Sequence, residues 1–188
     1  MHRQTFEPVQ VEGTVEEVSV DGGKVRLRTP QGQPSEWRDS KAVNLHEWCI
    51  AAFFQDNECL VNWVNAQPLS DPLTCLGDGH EGIWNIYAEI GTTTQRREID
   101  VEGAIAQFED WQHERVTTFI GYLNKHRHRI VNSGYYQAEG ISIGSGAIES
   151  TVKQIGRRIK ISGSQWAKDN VPQVLKQRSA YLNGQFSK

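Results

Sequence analysis

The chain has 188 residues, 37% hydrophobic and 23% charged, with a formal net charge of -3. That is room for one ordinary domain, and six Trp, five Tyr and six Phe supply enough large apolar groups for a core to exclude general disorder. No apolar run approaches the ~18 residues that span a bilayer, and the opening MHRQTFEPVQVEG lacks the apolar core of a signal peptide, so a cytoplasmic location with no membrane contact is expected.

Residues 13–28, GTVEEVSVDGGKVRLR, read as a β-hairpin. Val15, Val18 and Val20 precede Asp21-Gly22-Gly23, and then Val25 and Leu27 alternate with Lys24, Arg26 and Arg28. Residues 29–35 form a loop, and 36–48 a third strand built on Ala42, Val43 and Leu45. Leu60, Trp63 and Val64 recur at helical spacing over 56–67, and Pro68 and Pro72 end that helix. Leu73 to Leu76 predict a short buried strand stopping at Gly77-Asp78-Gly79, with a helix through Trp84, Ile86, Tyr87 and Ile90. Residues 103–126 carry the apolar stripe of a long helix, and 127–140 read as irregular. Ser145-Gly146 opens a helix carrying Ala147, Ile148, Val152 and Ile155. Asn170 and Pro172 mark the cap and first turn of a last helix over 171–182. This order suits an α/β fold, a mixed sheet with helices on its faces.

Charge is unevenly divided. Residues 1–120 hold 9 Lys+Arg against 20 Asp+Glu, whereas 121–188 hold 11 against 3. A basic C-terminal third points to an anionic partner, or equally to a solvated helix face. Lys153, Arg157 and Lys160 recur every three to four residues and, with Arg158, give one helix a cationic side suited to DNA phosphates. Trp166 follows as a residue able to stack on a base or fill the core. The three Cys (49, 59 and 75) fit neither a disulfide framework nor a zinc site and suit a reducing compartment.

Three acids sit beside small residues at the expected ends of elements: Asp21, Asp78 and Glu149. The first and fourth strands of a meander-plus-crossover sheet can be neighbours, which would bring Asp21 and Asp78 to one edge with Glu149 offered from a helix. Clustered carboxylates repel, and divalent cations with hard oxygen preferences, two Mg²⁺ or Mn²⁺ ions, would relieve the repulsion. From position alone, each acid reads first as a turn or cap residue. His80, two residues after Asp78, is a candidate supporting contact to that site.

The motifs VSVDGGKVRLR, LTCLGDGHEGIWN and SIGSGAIESTVKQIGRRIKISGSQW are together similar to bacterial insertion-sequence transposases of the DDE class, the IS-Kra group. The resemblance spans roughly 13–183, leaving 1–12 and 184–188 as expected flexible ends. It implies a ribonuclease-H-like fold. By matching motifs, Asp21, Asp78 and Glu149 become the catalytic acids that bind the metal ions. The implied activity is cleavage of transposon-end DNA by water, then strand transfer by the freed 3′-hydroxyl, without a covalent protein–DNA intermediate. Implied partners are DNA at the transposon ends and target, with a homo-oligomer or a full-length transposase as protein partner.

Family members are longer, with an N-terminal DNA-binding region and a strand bearing a DWYHL-like motif between the second Asp and the Glu. Here QRREID runs straight into VEGAIAQFEDW, so the domain reads as shortened around 91–103 and the sheet as incomplete. That leaves a competing expectation, a catalytically dead DNA-binding remnant that interferes with an intact transposase, and a further one, a ribonuclease-H-like nuclease.

Overall fold

A computed structural model describes residues 9, 11–46, 49–77, 80–91, 114–126, 137–140 and 146–186. The chain divides into two compact units, one of residues 1–94 with 144–188 and one of residues 95–143. The first is a mixed α/β unit built on a four-stranded sheet.

Its strands are β1 (Val15–Leu27), β2 (Glu36–Leu45), β3 (Cys49–Phe54) and β4 (Leu69–Leu76), in the order β3-β2-β1-β4. The β1–β2 and β2–β3 pairs are antiparallel, and β4 lies parallel to β1. The helix α1 (Asn57–Asn65) makes the crossover from β3 to β4. Asp56 caps it by accepting the Cys59 amide at 2.9 Å, which holds the Asp56 carboxyl below the usual carboxylate range. Then follow α2 (Glu81–Glu89), α4 (Gly146–Ile159) and α5 (Val171–Leu182), with α3 (Glu114–His126) belonging to the second unit. Among the described residues no helix is long and apolar enough to cross a membrane.

Two apolar layers sandwich the sheet. Val15, Val18, Val20, Val43 and Leu45 pack with Leu60, Val64, Ile83 and Tyr87 of α1 and α2. Val25, Leu27 and Ala42 pack with Ile148, Ile155, Ile159 and Leu175 of α4 and α5. Period-two alternation along β1 explains the split past the irregularity at Val15–Glu17: Val18 and Val20 face α1 and α2, and odd positions from Ser19 onward face α4.

The expected hairpin at 13–28 is corrected. Residues 15–27 form one continuous strand, and its partner is β2, paired from Val18–Leu45 to Leu27–Glu36. Gly22 and Gly23 do not turn the chain; Gly23 is small because α4 comes close. A Cβ there would stand 3.1 Å from Ser40 Oγ and 3.5 Å from Val152 Cγ1. The expected third strand is thus β2, ending at Leu45, and β3 is a further strand beyond those the sequence pattern predicts. β4 is longer than expected, and the register slip between Val15–Leu69 and Glu17–Thr74 accommodates Pro72. Asn170 precedes α5 as expected but makes no side-chain cap bond; it closes a short 3-10 turn, Lys168–Asn170, instead.

At the nominally free N-terminus, Val11 is buried and donates its amide to Gln67 Oε1 at 3.1 Å, so packing begins before residue 13. Residues 1–8, 187–188 and most of the expected shortening at 91–103 lie outside the described residues.

Tyr87 joins β1 to the edge strand β4. It is fully buried, its hydroxyl donates to the Leu76 carbonyl, and the Val18 carbonyl lies 3.3 Å away. Burial pushes this phenol well above its ordinary range. Tyr87→Phe removes the phenol's hydrogen bonds to these strand carbonyls and is expected to cost about 1–3 kcal/mol in urea unfolding. An unchanged midpoint would mean the hydroxyl contributes nothing to the β1–β4 pair.

Candidate metal and nucleic-acid site

Asp21 lies in the middle of β1, half-buried and opposite Ala42. Its Oδ1 accepts the Gly22 amide at 2.6 Å. By alternation it shares a face with Ser19 and Gly23, the face that α4 covers.

The start of α4 is fastened to this part of the sheet by a polar contact. Asn44, paired across the ladder with Ser19, donates its Nδ2 to Thr151 Oγ1 at 2.9 Å, and Thr151 donates to the Ala147 carbonyl at 2.9 Å. Thr151 and Ile148 are buried, so Glu149, between them in sequence, falls on the exposed side of the first turn. Its Oε2 lies 3.7 Å from Lys153 Nζ. α4 thus covers the sheet face that carries Asp21, while Glu149 itself lies on the solvent side of the helix rather than toward the sheet.

β4 supplies the third approach. Leu76 pairs with Ser19, and a Cβ on Gly77 would lie 3.5 Å from the Val20 carbonyl and 2.8 Å from Ile83 Cγ2. The chain thus leaves β4 alongside β1 immediately before Asp78, as the expected adjacency of first and fourth strands requires. Asp78 itself lies outside the described residues. Among the described residues no three His, Cys, Asp or Glu side chains form a metal-holding group.

No family model, curated protein or solved structure matches the chain.

His80 has a structural task. It is the N-cap of α2, and its Nδ1 accepts the Gly82 amide at 3.1 Å. Lys153, Arg157 and Arg158 are exposed on α4, away from buried Ile155 and Ile159, and Lys160 is exposed just past its last residue. Trp166, by contrast, is packed against the core. Its Nε1 donates to the Ile159 carbonyl at 3.0 Å, and its backbone bridges β1 through Arg26 and Arg28. Those bonds account for Trp166 without a base to stack on.

Two residues not singled out from sequence also belong to this region. Ser19 and Asn44 are polar yet buried on the α4 face. Asn44 Oδ1 has no hydrogen-bond partner among the described residues, and Asn44 is a cross-strand diagonal neighbour of Asp21, about 7–8 Å away between backbones. Polar residues at strand positions where the alternation demands apolar ones are the signal that would have found them. The cysteines offer no competing chemistry: burial pushes the Cys49 thiol up to about 11, so it stays protonated near neutrality.

Proposed function

We propose that the chain is the catalytic domain, or a fragment of it, of a DDE-class transposase with a ribonuclease-H-like sheet. The observation that carries this reading is the convergence of elements: β1 with Asp21, the end of β4 that leads to Asp78, and the first turn of α4 with Glu149. A three-strand meander followed by a parallel strand beside the first is the sheet this resemblance calls for.

The donor chemistry fits two Mg²⁺ or Mn²⁺ ions, since carboxylates are hard oxygen ligands and Asn44 Oδ1 is a buried acceptor with no donor among the described residues. Asp21, Asp78 and Glu149 would hold them, and the bound metal would supply Lewis acidity to the phosphodiester. The protein's own part is positioning. β1 fixes Asp21, Tyr87 holds the ends of β1 and β4 together, and the Asn44–Thr151 bond sets the depth of α4. The exposed cations of α4 would grip the DNA backbone beside the acids.

The test is nicking of supercoiled plasmid and joining of oligonucleotide ends with Mg²⁺ or Mn²⁺. No cleavage with either ion across duplex, nicked and branched DNA contradicts the enzymatic reading. The remnant reading is favoured by the placement of Glu149 on the exposed side of α4, and it predicts binding without cleavage. Both readings expect salt-dependent DNA binding. Lys153→Gln with Arg157→Gln should reduce the slope of log affinity against log salt by about 2 for duplex DNA. An unchanged slope removes α4 from the interface.

A further inference from the structure

The alternation of Lys24-Val25-Arg26-Leu27 gives the β1–β2 ribbon a second face. Val25 and Leu27 are buried under α4 and α5, which sends Lys24 and Arg26 to the opposite side of the sheet. Across the ladder, Gly22 pairs with Lys41, Lys24 with Asp39 and Arg26 with Trp37, so Lys41 and Trp37 share that side.

On this side the ribbon runs past β4 and past the layer of α1 and α2. β4 ends opposite Ser19, and the apolar layer formed with α1 and α2 stops at Val20. Trp37 is 44% exposed, and the Lys24 and Asp39 side chains are 66% and 75% exposed. Asp39 is the one acid among these ladder positions. Its pairing with Lys24 at 3.9 Å joins two exposed groups and holds the lysine weakly. Cations two residues apart on a strand are spaced about 6.6 Å, a step comparable to successive phosphates of an extended nucleic-acid strand. An exposed indole beside them supplies a stacking surface of the kind single strands use.

We propose that this face binds single-stranded DNA, with Lys24 and Lys41 on the phosphates, the half-buried Arg26, whose Nη2 donates to Ser35 Oγ, adding charge beside them, and Trp37 stacked on a base. It rests on the DNA reading above and adds a second surface, on the side of the sheet opposite α4. A strand freed from a duplex has both the flexible backbone and the unstacked bases that such a ribbon would read; a duplex offers only its phosphates.

The experiment measures the anisotropy of labelled oligo-dT of about 20 nucleotides, and of a duplex of like length, with the full chain at low salt. Lys24→Gln with Lys41→Gln, and separately Trp37→Ala, should each weaken oligo-dT binding roughly tenfold and change duplex binding less than about twofold. Lys153→Gln with Arg157→Gln should do the reverse. Melting temperatures check that each variant is folded, and the exposed lysine pair supplies a test even if Trp37→Ala destabilises. Unchanged oligo-dT binding in the folded lysine variant overturns the proposal. Wild-type binding to duplex but not oligo-dT overturns it alone and spares the α4 interface. Binding to neither probe overturns both.

Discussion

Asp21→Asn should lower metal-dependent DNA nicking by about 10³-fold or more while leaving the protein folded. The substitution preserves the shape of the side chain, and the amide oxygen can still accept the Gly22 N–H that Asp21 Oδ1 now accepts. What is lost is the negative charge. A carboxylate that holds a divalent ion in place contributes only when charged, whereas a turn-type contact to Gly22 survives amidation. Plasmid nicking with Mg²⁺ and with Mn²⁺ reads the activity, and thermal unfolding reads the fold. Activity within about tenfold of wild type would show that Asp21 is not a metal ligand and would return it to a backbone contact.

Ile148→Ala should be the most damaging substitution on α4, costing about 2–5 kcal/mol. Ile148 is 1% exposed in the layer between α4 and the sheet, so truncation opens a cavity where the helix begins. For a domain of this size that is a fall of roughly 4–20 °C in melting temperature. Glu149→Gln, one residue along but exposed and in a loose surface pair with Lys153, should cost less than about 1 kcal/mol. The contrast separates fold from chemistry on a single turn of helix: the first variant is unstable, and the second is stable but inactive. Denaturant unfolding checks both. A cost under about 1 kcal/mol at Ile148 would mean that α4 is not seated on the sheet as described.

The helices were the legible part of the fold. α5 begins and ends where the Pro172 signal and apolar spacing put it, and α1 and α2 lie within the segments their periodicity marked. Strands were harder, for a local reason. Asp21-Gly22-Gly23 has the composition of a hairpin turn, but whether a strand reverses there depends on what pairs with it. β2 offers a continuous ladder on one side, and Val152 approaches closely on the other face. Glycine at 23 answers a packing demand from a helix more than a hundred residues away, which no local pattern contains. β3 has no local signal because CIAAFF is unbroken and apolar, with no alternation to separate a strand from a buried helical turn.

The candidate site was legible as residue types and motif spacing, and its staging was not. The adjacency of β1 and β4 follows from the meander-plus-crossover order. The Asn44–Thr151 bond that seats α4 joins residues far apart in sequence and has no local signature. Trp166 shows the converse limit: its neighbourhood of basic residues suggested nucleic acid, while its indole N–H closes on the Ile159 carbonyl.

Mn²⁺ titration followed by broadening of backbone amide NMR signals tests most directly whether the three acids act as one site. The account predicts that signals next to Asp21, Gly77 and Glu149 broaden together at low Mn²⁺ and that Asp21→Asn weakens the effect at all three. Broadening confined to a single acid, or scattered over exposed carboxylates such as Glu58 and Glu89, would contradict it.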